Sequence, residues 1–149
     1  RVKPGDRVVD AYCGVGLYGR ALARLGAQVI GIERDSDAAG AASSQPTQGL
    51  TVWTGAVEYR LAEALPADLV ILNPPRTGVE ASVTDTLRAT GPQRLIYASC
   101  APATLARDIS RISPSYEVLD VRAFDLFPQT AHVEAVVVLQ RLDDQASEQ

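Results

Sequence analysis

The chain has 149 residues, enough for one ordinary domain, and its balance of 46% hydrophobic and 21% charged residues excludes a disordered or fibrous polypeptide. A net charge of −4 excludes a free-standing nucleic-acid binder, whose affinity rests on Lys and Arg neutralising phosphates. No apolar run is long enough to span a bilayer and no secretion leader opens the chain. Two scattered cysteines, Cys13 and Cys100, and the single His132 form neither a disulfide framework nor a metal site. These features imply a reducing, cytoplasmic compartment, with no membrane and no metal. The chain starts at Arg1 and contains no Met, so the expectation is one folded domain over 1–142 and a solvated tail over 143–149, with an N-terminal part of a longer protein lying outside it.

Short β-rich apolar runs alternate with helix-like stretches. The runs are RVVDAY (7–12), AQVIGIE (27–33), LTVWTG (50–55), ADLVILN (67–73) and RLIYASC (94–100). Helices are expected over 16–25, 35–44, weakly near 57–64, then 79–90 and 102–112. Pro102 suits the first turn of the last helix, and Arg107 and Asp108 are expected on its polar face. Continuous apolar runs separated by helices imply a parallel sheet buried on both faces. The end of the chain differs: two strand-like runs, 116–127 and 132–142, have only Pro128–Ala131 between them. Such a pair is antiparallel.

Residues 14–19 read GVGLYG, a literal G-x-G-x-x-G between a strand and a helix, and Glu33 closes the next strand. Three readings fit. One is a dinucleotide fingerprint, another a structural turn. The third is an S-adenosylmethionine (AdoMet) site, favoured by the spacing Asp10-x-x-x-Gly14-x-Gly16, which brings a carboxylate to a methionine ammonium. Asp10, Tyr12, Gly14, Gly16 and Glu33 are the candidate cofactor contacts. Five βα units followed by an antiparallel pair also outline the α/β, Rossmann-like class I AdoMet-dependent methyltransferase fold. That fold is a mostly parallel seven-stranded sheet with an antiparallel last strand.

The fourth run ends in Asn73-Pro74-Pro75-Arg76. Two prolines remove two backbone donors and stiffen the turn. Asn73 is thereby held at the carboxyl edge of the sheet, where open α/β sheets bind ligands. Its amide suits a base edge, or it simply caps the turn. Arg76 either meets a nucleic-acid phosphate or pairs locally. Asn-Pro-Pro also occurs in enzymes that methylate exocyclic amines, but there an aromatic residue follows, where this chain has Arg76.

The fifth run ends in Ser99-Cys100-Ala101-Pro102. Cys100 is either a buried thiol or a nucleophile, and Glu134 either a solvated carboxylate or its partner. If the last strand is antiparallel beside the fifth, Glu134 and Cys100 meet at one edge, with Asn73 on the neighbouring strand. Cys13, inside the glycine turn, reads as structural.

Taken together, Asp10–Gly16, Asn73–Gly78, Tyr97–Asp108 and Asp125–Glu134 resemble the RNA (uracil-5-)-methyltransferase family, which makes 5-methyluridine in tRNA and ribosomal RNA. The resemblance covers nearly the whole chain. It implies Cys100 as nucleophile and Glu134 as general base. It also implies Glu33 on the AdoMet ribose, Asn73 near cofactor and base, and RNA as partner, held largely by other domains. Departures are Asn73 for the family's usual Asp, Ala101 for the Asn that often follows the cysteine, and Ala56 for a polar residue near the adenine. An AdoMet-dependent amino- or small-molecule methyltransferase and a non-catalytic methyltransferase-like module are the alternatives.

Overall fold

A computed structural model describes residues 1–125 and 133–142. His132, the Pro128–Ala131 connection and the 143–149 tail lie outside the described residues. The elements alternate as β1 (Arg7–Ala11), α1 (Leu17–Arg24), β2 (Gln28–Glu33), α2 (Ser36–Ser43), β3 (Leu50–Thr54) and α3 (Val57–Ala64), continuing with β4 (Leu69–Leu72), α4 (Ala81–Thr90), β5 (Arg94–Ser99) and α5 (Pro102–Ile112), and ending in β6 (Tyr116–Phe124) and β7 (Glu134–Arg141). The seven strands form one sheet in the order β3-β2-β1-β4-β5-β7-β6. β1 to β5 are mutually parallel, and β7 enters antiparallel between β5 and β6.

The central strands are continuous apolar runs because both of their faces are covered. In β4 all four residues are buried. Alternation then sorts side chains to the two faces. Val8, Leu69 and Ile71 join Ala23 and Ala27 on the α1 side. Val9, Val70 and Leu72 join Leu61, Val83, Leu87, Leu105 and Ile112 on the other.

Helix starts follow local chemistry. The Asp35 carboxylate caps α2 by accepting from the N–H groups of Asp37 and Ala38, both at 2.9 Å. Pro102 opens α5. α4 begins at Ala81 rather than 79, because Gly78 has a φ of +78° and ends a turn closed by its N–H to the Pro75 carbonyl. The weakly expected third helix is present, with Val57, Leu61 and Ala64 buried along one face.

One expectation is overturned. Asp108 does not share a solvated face with Arg107; it is fully buried. Positions 105, 108 and 112 all point inward on α5, the i, i+3, i+7 stripe of a helix. A charged residue in that stripe reads as a break in the apolar pattern until its partners are visible.

The strand order reverses between β1 and β4, so the loops after these strands diverge at the carboxyl edge and leave a crevice. Leu72, fully buried at the end of β4, supports that edge. Replacement by Ala is expected to cost about 2–5 kcal/mol in urea unfolding. Leu119→Ala on edge strand β6, where Leu119 is half exposed, should change stability by less than about 1 kcal/mol.

Candidate active site

The glycine turn is a strained left-handed segment. Tyr12, Gly14 and Gly16 have φ of 63°, 53° and 79°. For a bulky residue such as Tyr12 this conformation is an outlier, held only because its surroundings over-determine it. The Cys13 N–H donates to the Ile32 carbonyl at 3.0 Å, and the Gly16 N–H to the Cys13 carbonyl at 2.8 Å. The Gly14 N–H donates to Glu33 Oε2 at 2.8 Å. The N–H groups of Cys13, Gly14 and Gly16 therefore all have protein acceptors. Gly19 lets α1 lie close on the sheet: a Cβ there would sit 2.9 Å from Leu50 and 3.3 Å from Asp10 Oδ2.

Glu33 spans two backbones. Besides Gly14, it accepts from the Asp35 N–H at 2.8 Å on Oε1. Each oxygen keeps a lone pair for a further donor. Asp10 is fully buried between β1 and α1. Its Oδ2 accepts the Gly19 N–H at 2.9 Å, and its Oδ1 has no partner. Burial raises its pKa to about 6, against a smaller lowering by the Gly19 N–H. Burial, followed by the nearby carboxylates of Asp10 and Glu33, likewise pushes the Cys13 thiol up to about 12, so that thiol stays protonated and inert.

A cavity of about 550 Å³ opens at the switch point. Tyr12, Glu33 and Asn73 line it together, with Ala56 and Val57 from the start of α3 and Thr77 and Gly78 from the loop after β4. Its wall carries the carboxylates of Glu33, Asp35, Glu58 and Glu80 against the single guanidinium of Arg34. The volume falls within the roughly 300–1,000 Å³ of small-molecule sites, and the charge suits a cationic ligand. Of the sequence candidates, Asp10, Gly14, Gly16 and Arg76 are not on the cavity lining: Asp10 is buried against α1, the two glycines form the turn beside it, and Arg76 is exposed on the loop after β4.

Cys100 and Glu134 lie beyond the lining, on the next pair of strands. In the β5–β7 ladder Ser99 is opposite Ala135. β5 ends at Ser99 and β7 begins at Glu134, so Cys100 and Glu134 each lie one residue beyond the last pair of this ladder, where a continued antiparallel register would oppose them. Directly opposed residues have Cα atoms about 4.5–5.5 Å apart and side chains on the same face. Both residues are partly buried. On the other side of β5, one step beyond the paired residues, Asn73 draws level with Ala98.

Sequence reasoning missed several residues at this edge. Ser99 Oγ accepts the Ala101 N–H at 3.0 Å and braces the turn that carries Cys100. Glu58 and Glu80 supply half of the wall's carboxylates. Their positions at the starts of the helices that follow β3 and β4 were the available signal.

The family model for tRNA (uracil-5-)-methyltransferases matches residues 59–142. An uncharacterized RNA methyltransferase of Enterococcus faecalis is 40% identical over 146 residues, covering 92% of this chain and 32% of that protein. Another from Bacillus cereus is 39% identical over 144 residues, covering 91% and 31%. The chain thus spans about a third of the length of the curated relatives it matches. Among solved structures, the Pyrococcus abyssi tRNA (uracil-54, C5)-methyltransferase in complex with S-adenosyl-L-homocysteine superposes with a TM-score of 0.75 at 29% identity. That match covers 93% of this chain and 35% of that one. The Synechocystis magnesium protoporphyrin IX methyltransferase with bound SAM, at 18% identity and a TM-score of 0.73, covers 93% and 71%, and shares the fold alone. Among the described residues no helix is long and apolar enough to cross a membrane, and no cluster of His, Cys, Asp and Glu could hold a metal.

The burial of Asp10 has a signed consequence. Its pKa in the fold, about 6, lies above the ordinary 3.8, so between these values the folded state holds the proton more tightly than the unfolded chain. This group's contribution to stability is therefore greatest in acid and declines as pH rises towards 7. Asp10→Asn removes that dependence. Urea titrations should show the variant gaining on the parent by roughly 2–3 kcal/mol from pH 4 to pH 8. A difference that stays flat across this range would contradict the assignment.

Proposed function

We propose that this chain, which belongs to the tRNA (uracil-5-)-methyltransferase family, is the catalytic part of an enzyme that methylates carbon 5 of a uridine in tRNA or ribosomal RNA, with AdoMet as methyl donor. The observation that carries the reading is the β5–β7 register, which pairs Ser99 with Ala135 and so brings Cys100 and Glu134, the next residue on each side, to the same end of the ladder, near a carboxylate-walled cavity at the switch point.

The cavity suits AdoMet better than a dinucleotide. The N–H groups of Cys13, Gly14 and Gly16 already serve protein acceptors, and four carboxylates on the wall would repel a pyrophosphate's charge. The same carboxylates favour a sulfonium and an ammonium. Glu33 retains acceptor capacity for two ribose hydroxyls, while Ala56 and Val57 offer an apolar wall for the adenine. Asp10 acts from behind the turn: it fixes the start of α1 through Gly19 and adds negative charge beneath the methionine end. When bound, AdoMet supplies an electrophilic methyl group.

Carbon 5 of uracil is a weak nucleophile, and the chain's residues supply what it lacks. Cys100 Sγ, as thiolate, adds to carbon 6, and the electron pair of the 5,6 double bond moves through carbon 4 onto its oxygen as an enolate. Carbon 5 then takes the methyl group, and the sulfonium leaves as a neutral thioether. Glu134 removes the proton from carbon 5. The electron pair left behind re-forms the 5,6 double bond, the bond from carbon 6 to sulfur breaks, and the thiolate is released. This is nucleophilic catalysis with a separate general base. Asn73, at the cavity edge beside β5, holds the base by its amide, and the base must leave its stack to reach it. Arg76 is exposed, and its guanidinium is assigned to an RNA phosphate. With a net charge of −4, most phosphate neutralisation is assigned to other parts of a longer protein.

The Asn73-Pro74-Pro75 turn, whose Asn73 and Pro75 line the cavity, also supports a second reading, methylation of an exocyclic amine, in which Cys100 and Glu134 would be idle. The two readings separate cleanly. In the complete protein, Cys100→Ala is expected to lower RNA methylation at least about 10³-fold while AdoMet binding by calorimetry is retained. Glu134→Gln should transfer the methyl group and then stall, leaving RNA attached to protein on a denaturing gel. Mass spectrometry of digested RNA should show 5-methyluridine. Full methylation by Cys100→Ala, or an N-methylated nucleoside, would overturn the leading reading.

A further inference from the structure

Asp108 is the most heavily engaged carboxylate among the described residues, and neither cofactor nor substrate chemistry has used it. On its Oδ2 it accepts the Tyr97 hydroxyl at 2.6 Å and the Val79 N–H at 3.0 Å. On its Oδ1 it accepts Arg107 Nε at 3.0 Å and Nη2 at 2.9 Å, with Arg111 Nη1 at 3.5 Å. Arg107 Nη2 also donates to the Thr77 carbonyl at 2.8 Å. The loop after β4 is thus gripped at Thr77 and at Val79. Between them Gly78 lies flat on the carboxylate, where any Cβ would overlap Asp108 Oδ2 and Thr104 Cγ2.

The gripped segment is the cavity wall itself: Thr77, Gly78 and Glu80 line it. Its other end is stiffened by Pro74 and Pro75. Tyr97 belongs to β5, three residues before Cys100, so one carboxylate ties the wall to the strand that leads to the thiol. Stability alone does not call for such a group. A buried carboxylate is costly to desolvate and rarely outperforms an apolar side chain of the same volume, even with the half-exposed Arg107 and Arg111 reaching it, and removing it leaves its donors unpaired. What the carboxylate adds is directional: it accepts a backbone N–H, a hydroxyl and a guanidinium in one fixed arrangement.

We propose that Asp108 is a positioning residue for the methyl-donor cavity, holding the Thr77–Glu80 wall against the end of β5 and thereby setting the affinity for AdoMet. The proposal rests on the reading that this cavity binds AdoMet. It concerns binding geometry rather than the reacting atoms, so it predicts a split between KM and kcat.

The test uses the complete protein with Asp108→Asn and Tyr97→Phe, the second removing one oxygen only. Calorimetry with AdoMet, steady-state kinetics on RNA and thermal melting are run on parent and variants. Asp108→Asn is expected to raise both the AdoMet Kd and the KM for AdoMet about tenfold, with kcat at saturating AdoMet within about threefold of the parent. Tyr97→Phe should move Kd in the same direction, about threefold. Lowered melting temperatures with parental Kd and KM would overturn the proposal and leave Asp108 a core residue. If Asp108→Asn does not fold, Tyr97→Phe decides: an unchanged Kd there refutes the proposal. A parent that binds AdoMet but makes no 5-methyluridine refutes the reading of the reaction, while the Kd comparison still judges Asp108. A parent that binds no AdoMet overturns both.

Discussion

The register of β7 against β5 is the constraint on which the proposed catalytic edge depends. Because side chains alternate along a strand, a slip of one residue would turn Glu134 to the opposite face of the sheet from Cys100. The register is held by burial. Val137 and Leu139 are buried on one face of β7 and pack with Tyr97 and Leu95 of β5. A slip would expose these and bury their polar neighbours, such as Gln140. The hydrophobic core therefore specifies a polar pair at the rim that it does not itself contain.

The rim is also where the fold accepts local strain. Tyr12 adopts a left-handed backbone that a glycine would take freely, and its ring lines the cavity. Four carboxylates face one guanidinium across about 550 Å³, an arrangement that is mutually repulsive until a cation enters. The strained backbone and the crowding of like charge both oppose folding, even though Glu33 and Asp35 individually accept backbone N–H groups. Both are understandable where a ligand is to be bound, since sites are where local rules are broken and offset by the rest of the structure.

The framework was legible because its signals are redundant. Five apolar runs, the helical patterns between them and a proline at the head of α5 all point to one parallel sheet, and the short connection between the last two runs points to an antiparallel end. The glycine turn and the Asn73 turn were legible as punctuation. What was not legible depended on partners distant in sequence. Asp108 looked solvated because charge in a helix usually is. Its burial becomes sensible only when Tyr97, Arg107 and the Val79 N–H converge on it. Ser99 looked like an ordinary strand end, although its hydroxyl braces the backbone at Ala101 where no side-chain amide is available. Glu58 and Glu80 carried no periodic signal: one sits in the first turn of α3 and the other at the N-terminal boundary of α4, positions that no apolar stripe marks.

Asp10 and Asp108 show how two buried carboxylates can serve opposite ends. Both are fully inaccessible. Asp108 has both oxygens occupied, by a hydroxyl, a backbone N–H and arginine, and so behaves as a rigid joint between elements. Asp10 has one N–H donor and one orphan oxygen, and burial lifts its pKa towards neutrality. A buried acceptor without a donor costs roughly 1–3 kcal/mol, so a sequence selected only to fold would have an apolar residue there. The satisfied carboxylate is the one that fixes geometry. The unsatisfied one holds negative charge in reserve directly behind the turn that the cofactor is proposed to touch, and a cation arriving on the far side of that turn is what would offset it.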